Sequence, residues 1–111
     1  MASSFNYVQG DTGPQIKVTL VDDDTNSPTN LSGATVTLHF RAVGETTLLF
    51  SRQLYVASGT ESTGIAILQW QTNDLNQQPG TYEGELEVVR AGGLRETIFE
   101  TLRFRIREDF A

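Results

Sequence analysis

Apolar and polar residues alternate with period two along most of this chain, and no stretch repeats its apolar positions at the helical spacing of three and four. Between residues 64 and 88, Ala66, Leu68 and Trp70 share one face. After a Pro79-Gly80 turn, Tyr82, Gly84, Leu86 and Val88 share another. Ile16, Val18 and Leu20 alternate with Lys17 and Thr19, and Ala34, Val36, Leu38 and Phe40 alternate with Thr35, Thr37, His39 and Arg41. Strands are therefore predicted near 5–9, 15–21, 34–42, 46–56, 64–71, 81–91 and 94–107. Trp70, the only tryptophan, is the expected centre of the core. Its burial removes about 150–250 Å² from water, a gross gain of about 4–6 kcal/mol at about 25 cal/mol per Å².

Short, turn-rich connections between such strands imply an all-β fold, an immunoglobulin-like antiparallel β-sandwich of about seven strands. The Cys–Trp–Cys pattern of antibody domains is missing. Three local features refine this expectation. Leu48, Phe50, Leu54 and Val56 share a phase that Arg52 interrupts with a charge on the apolar side, which places that strand at a sheet edge. Asp74, Leu75, Gly80 and Tyr82 could form a tyrosine corner, with the Tyr82 hydroxyl tied back to the backbone upstream, although a ring simply buried fits the sequence equally. A two-residue Gly92-Gly93 turn would pair Leu86 with Phe99 and Val88 with Thr97. The later phase of Leu102, Phe104 and Ile106 then requires one extra residue near Glu100-Thr101, which sets Arg103 opposite Glu83 and diagonal to Glu85.

Composition narrows the chemistry. The 111 residues support one domain, 1–111, with short flexible ends at 1–4 and 108–111, and the absence of cysteine excludes disulfides, thiolate metal sites and a cysteine nucleophile. The N-terminal sequence has no signal-peptide pattern, and no run approaches the ~18 apolar residues of a membrane span. With 8 basic and 14 acidic residues the net charge is −6, so neither nucleic acid nor a membrane is an expected partner. The alternate arginines Arg103, Arg105 and Arg107 read as a solvated sheet face, opposed by the row Glu83, Glu85 and Glu87.

No constellation suited to catalysis emerges. His39, the only histidine, falls on a solvated strand face, so a serine triad lacks its base. Asp22, Asp24 and Asn26 alternate in the polar loop 22–30, but no sharp-turn glycine or closing glutamate follows, so an exposed loop is expected there. The chain is read as a non-enzyme with no metal and no cofactor. Phe5, Tyr7, Tyr55 and Phe110 are the aromatics least firmly assigned to the core, which makes a carbohydrate-binding module the alternative from another class.

A resemblance adds a function. Gly10-Asp11-Thr12-Gly13, Leu31-Ser32-Gly33-Ala34-Thr35-Val36, Gly64 to Trp70, Pro79-Gly80-Thr81-Tyr82 and Glu85-Leu86-Glu87-Val88 come in an order that resembles the immunoglobulin-like N-terminal domain of the baseplate upper protein of tailed bacteriophages and related short virion sandwich proteins. That domain docks a much longer chain onto the tail core. Ending soon after the sandwich closes, this sequence is more similar to small accessory proteins that decorate phage heads. The resemblance implies a virion structural protein made in the host cytoplasm, most simply a head decoration or cement protein bound to the major capsid protein. A tail or baseplate component is the runner-up, and a homo-oligomer is the further partner it allows. Expected docking residues are Phe5, Tyr7 and Val8 in the first strand, Arg52 on the irregular edge strand, and Phe110 near the end.

Overall fold

The inward rows predicted from alternation meet between two sheets in the computed structural model, which describes residues 4–13, 15–21 and 26–110, without the side chains of 96–100. The strands are β1 (Ser4–Val8), β2 (Ile16–Thr19), β3 (Thr35–Ala42), β4 (Phe50–Gln53), β5 (Ile65–Leu68), β6 (Gly80–Val89) and β7 (Arg95–Arg107). Five form a sheet in the order β1-β7-β6-β3-β4, and β2 pairs with β5 in a second, smaller sheet. The all-β sandwich is as the alternation predicts. One pairing departs from it: β1 runs parallel to β7, from Ser4 beside Arg103 to Val8 beside Arg107.

Ala66, Leu68 and Trp70 are all buried, as are Tyr82, Leu86 and Val88 facing them from β6. Trp70 sits just past β5 and meets four rings edge-on: Tyr7 at 5.5 Å, Phe104 at 5.6 Å, Phe40 at 6.0 Å and Phe50 at 6.4 Å between centroids. These approaches set the positive edge of one ring against the negative face of another, which adds to the gain from burial. Phe40 in turn stacks on Phe50 at 4.7 Å and on Tyr82 at 5.3 Å. Gly84 lies opposite Phe40, and a Cβ there would come within 2.6 Å of Leu38 Cδ1 and 3.0 Å of Phe104 Cε2. Space for the rings therefore depends on a missing side chain. Gly64, at φ 72°, enters β5 with its backbone against the Leu20 carbonyl, and its own carbonyl accepts the Leu20 N–H.

Three expectations require correction. The strand predicted over 46–56 is shorter, because the chain changes sheets: Leu54 donates to the Val36 carbonyl in the large sheet, while Tyr55 pairs with Ile67 in the small one. Leu48 consequently lies before β4 and is 47% exposed, not inward-facing. Arg90 N–H donates to the Leu94 carbonyl, so the last hairpin closes on three residues, Ala91, Gly92 and Gly93, and Val88 pairs with Glu96 rather than Thr97. Between Glu87↔Thr97 and Glu85↔Thr101, two steps on β6 face four on β7, so the irregularity holds two extra residues rather than one. Beyond it Glu83 does pair with Arg103. The edge position expected for the Arg52 strand is also found, since β4 ends the large sheet.

Replacing Trp70 by Ala should cost about 3–5 kcal/mol in urea unfolding, because a cavity opens where four rings converge. A loss below about 1 kcal/mol would show that the indole is not the centre of the core.

Candidate functional site

Two interactions fix the corner between β5 and β6. Asp74, nearly buried, accepts hydrogen bonds from Arg52 Nε at 2.9 Å and Arg52 Nη2 at 2.5 Å, and also from the Gln71 N–H at 2.8 Å. Arg52 carries its charge inward because a buried carboxylate receives it in a fork geometry, with the guanidinium 5.6 Å from the Phe50 ring centroid. The Tyr82 hydroxyl donates to the Gln78 carbonyl, four residues upstream, so the tyrosine-corner alternative is the one realised. Arg52 is thus occupied inside the fold and is not a free docking group.

The corner then supports β1. Gly10 N–H donates to the Leu75 carbonyl at 2.9 Å, and Gln9 Nε2 donates to the Gln77 carbonyl at 2.9 Å. Phe5 stacks on Phe104 at 5.5 Å and Tyr7 meets Trp70, so of these two rings expected for docking Tyr7 belongs to the core and Phe5, half-buried, packs against it. Gln9 N–H donates to the Arg107 carbonyl. Main-chain groups alternate in direction along a strand, so Phe5 and Tyr7 also bond toward β7, while Ser4, Asn6 and Val8 turn theirs to the open edge. Asp11 closes one end of that edge: its Oδ2 accepts the Val8 N–H at 3.0 Å, and its own N–H donates to the Val8 carbonyl at 3.0 Å. Asn6 makes no main-chain contact on that side among the described residues.

Beside this edge lies a groove of about 330 Å³ lined by Asn6, Tyr7, Val8, Asp11, Arg105 and Arg107. Arg107 Nη1 donates to the Glu108 carbonyl at 3.0 Å and its guanidinium lies 4.7 Å from the Phe110 ring centroid, while the Phe110 side chain remains 83% exposed. Arg105 is exposed and has no ion pair or hydrogen bond among the described residues. Burial raises the Tyr7 phenol above its ordinary value. The nearby Trp70 indole N–H, outside hydrogen-bond geometry, opposes the shift, and the Asp11 charge adds to it.

The remaining polar candidates lie on the outer face of the large sheet. His39 Nδ1 is 2.7 Å from Ser51 Oγ and Nε2 is 3.6 Å from Glu87 Oε1. Glu83 pairs with Arg41 at 3.2 Å rather than with Arg103, although Arg103 is its register partner. A shallow depression of about 60 Å³ lies among His39, Arg41, Leu48, Glu83 and Glu85. Among the described residues, no three His, Asp or Glu side chains converge on a point suited to a metal ion. The run Asp22–Asp24 lies outside the described residues. Sequence reasoning missed Asn6, Asp11 and Arg105 as a group, since only the parallel pairing of β1 with β7 brings them together.

No family model and no curated protein matches the chain. Among solved structures it is similar to CopC from Methylosinus trichosporium OB3b, with a TM-score of 0.51 and 10% identity, covering 100% of this chain and 89% of that one. At this identity the likeness shows the sandwich fold. It also overturns the virion reading, because the same fold spans the whole chain in a protein that is not a phage structural protein. The order of turns and strands behind that reading marks the sandwich rather than a role in a phage head, tail or baseplate. Of the four aromatics behind the carbohydrate alternative, Tyr7 is buried and Phe5 packs against the core, while Tyr55 and Phe110 remain exposed.

Removing one partner of the Arg52–Asp74 pair should destabilise the protein by about 3 kcal/mol, since the other charge is left largely buried. A double-mutant cycle with Arg52→Met and Asp74→Ala should show strong coupling, and simple additivity would refute the pairing.

Burial also raises the Tyr82 phenol, in the same direction as Tyr7. Above about pH 10 the unfolded chain loses phenolic protons that the folded chain retains. The stability these groups contribute is complete below that pH and is lost as pH rises through their folded values. Melting temperature should fall on this alkaline limb, less steeply in Tyr7→Phe, with tyrosinate absorbance appearing together with unfolding. An identical slope in the variant would exclude Tyr7 as a source.

Proposed function

We propose that the protein is a non-catalytic β-sandwich module that binds another protein along the open edge of β1. The observation that carries this reading is the edge itself. The strand Ser4–Val8 contains no charged residue and no proline, and its outward main-chain groups at Asn6 are unpaired among the described residues. An uncharged, unprotected edge is a template for an incoming strand, because added main-chain hydrogen bonds form at little conformational cost to the sheet. The polar side chains best suited to chemistry are instead used within the fold: Asp74 and Arg52 on each other, the Tyr82 hydroxyl on a carbonyl, His39 on Ser51 and Glu87.

Asn6→Pro tests the reading with little structural cost, since the lost N–H faces away from β7. In the intact protein, a photoreactive residue at position 4 should cross-link one specific protein in the native cell, and Asn6→Pro should abolish that adduct while the melting temperature changes by only a few degrees. A probe at Lys17, on the other sheet, should not give the same adduct. Equal labelling from both positions, or an adduct indifferent to Asn6→Pro, would refute edge binding.

A further inference from the structure

Resting on the edge-binding reading, we propose that the strand accepted by β1 is an extended peptide segment carrying an acidic residue, and that Arg105, assisted by Arg107, recognises its carboxylate. The outer-face partners of β1 are arginines throughout: Ser4 lies beside Arg103, Asn6 beside Arg105 and Val8 beside Arg107. Arg105 and Arg107 line the same groove as Asn6, Val8 and Asp11, so both lean toward the open edge. The one carboxylate in that groove, Asp11, is already accepting the Val8 N–H. Two cations therefore face a single engaged anion, in a protein whose net charge is −6. A strand added beside β1 would place its outer-face side chain opposite Asn6 at about two strand spacings, or roughly 10 Å, from Arg105. An extended arginine and a glutamate span that distance between them.

The same charges argue against a second copy of this chain. Antiparallel pairing of two β1 strands about a two-fold axis normal to the sheet would bring both arginine rows onto one face, three strand spacings apart, and β1 itself offers no carboxylate between them. Asp11 further limits the site. With Val8 capped, the incoming strand bonds at Ser4 and Asn6 and stops at the Asp11 turn, so recognition rests on few main-chain bonds and on the charge.

The test uses three synthetic eight-residue β-prone peptides, identical except for a central Glu, Gln or Lys, titrated against the intact protein with backbone amide shifts as the readout. The Glu peptide should perturb the amides of Ser4 and Asn6 and bind about tenfold more tightly than the Gln peptide, and the Lys peptide should not bind. The preference should weaken as salt rises. Arg105→Glu should reverse it in favour of the Lys peptide, a gain that misfolding cannot imitate. Equal binding of all three peptides, shifts confined to another surface, or no reversal in Arg105→Glu would overturn the proposal. So would a concentration-dependent dimer abolished by Asn6→Pro. If no peptide binds while Asn6→Pro still abolishes the cellular adduct, the acidic-peptide chemistry falls and the edge-binding module stands; if the adduct also survives Asn6→Pro, both fall.

Discussion

Everything else in this sandwich depends on one indole held edge-on by four aromatic rings. Trp70 reaches Tyr7 on β1, Phe40 on β3, Phe50 on β4 and Phe104 on β7, so one side chain just past the end of β5 touches four of the five strands of the large sheet. A two-stranded sheet has little area with which to cover a five-stranded partner. A large ring at its end compensates, because aromatic burial gives more hydrophobic gain per residue than any aliphatic side chain. The indole N–H is buried without an acceptor among the described residues, a cost of about 1–3 kcal/mol that the burial of the ring outweighs.

The segment following Trp70 transmits this arrangement to the surface. Asp74 binds Arg52 from β4 and the Gln71 N–H of its own turn, and the Tyr82 hydroxyl holds Gln78. The corner is thereby tied to a strand on one side and to its own exit on the other. Its carbonyls at Leu75 and Gln77 then anchor Gly10 and Gln9, which fixes the end of β1. One end of the open edge is therefore anchored although β1 is the outermost strand of the sheet. An anchored edge loses less entropy when a partner strand is added.

Fold and function separate clearly here. CopC shares the sandwich over the full length of this chain at 10% identity, and such sandwiches serve many unrelated tasks. What distinguishes this molecule is where its charges lie relative to its edges. Glu83 and Glu87 of β6 are drawn toward Arg41, His39 and Arg95, and the later arginines of β7, Arg103, Arg105 and Arg107, lie beside β1. This unequal sharing makes one edge of the sheet locally basic in a chain whose net charge is −6.

Period-two alternation by itself determined the all-β class, the inward rows of β3, β5 and β6, the central place of Trp70 and the edge position of Arg52, because side-chain direction along a strand is a local property. The Glu83–Arg103 pairing also emerged from the sequence, but through a turn and a bulge each one residue too short, whose errors cancel. Tertiary structure decided the rest. Arg52 found Asp74, 22 residues away, as its counter-charge, and Leu54 became the point where the chain changes sheets. β1 joined β7 in parallel, which buried Tyr7 in the core, packed Phe5 against it and placed Asn6 beside Arg105. Alternation states which side of a strand is apolar but not which strand becomes its neighbour. That choice is made by contacts between residues far apart in sequence, and the proposed binding edge is built from one of them.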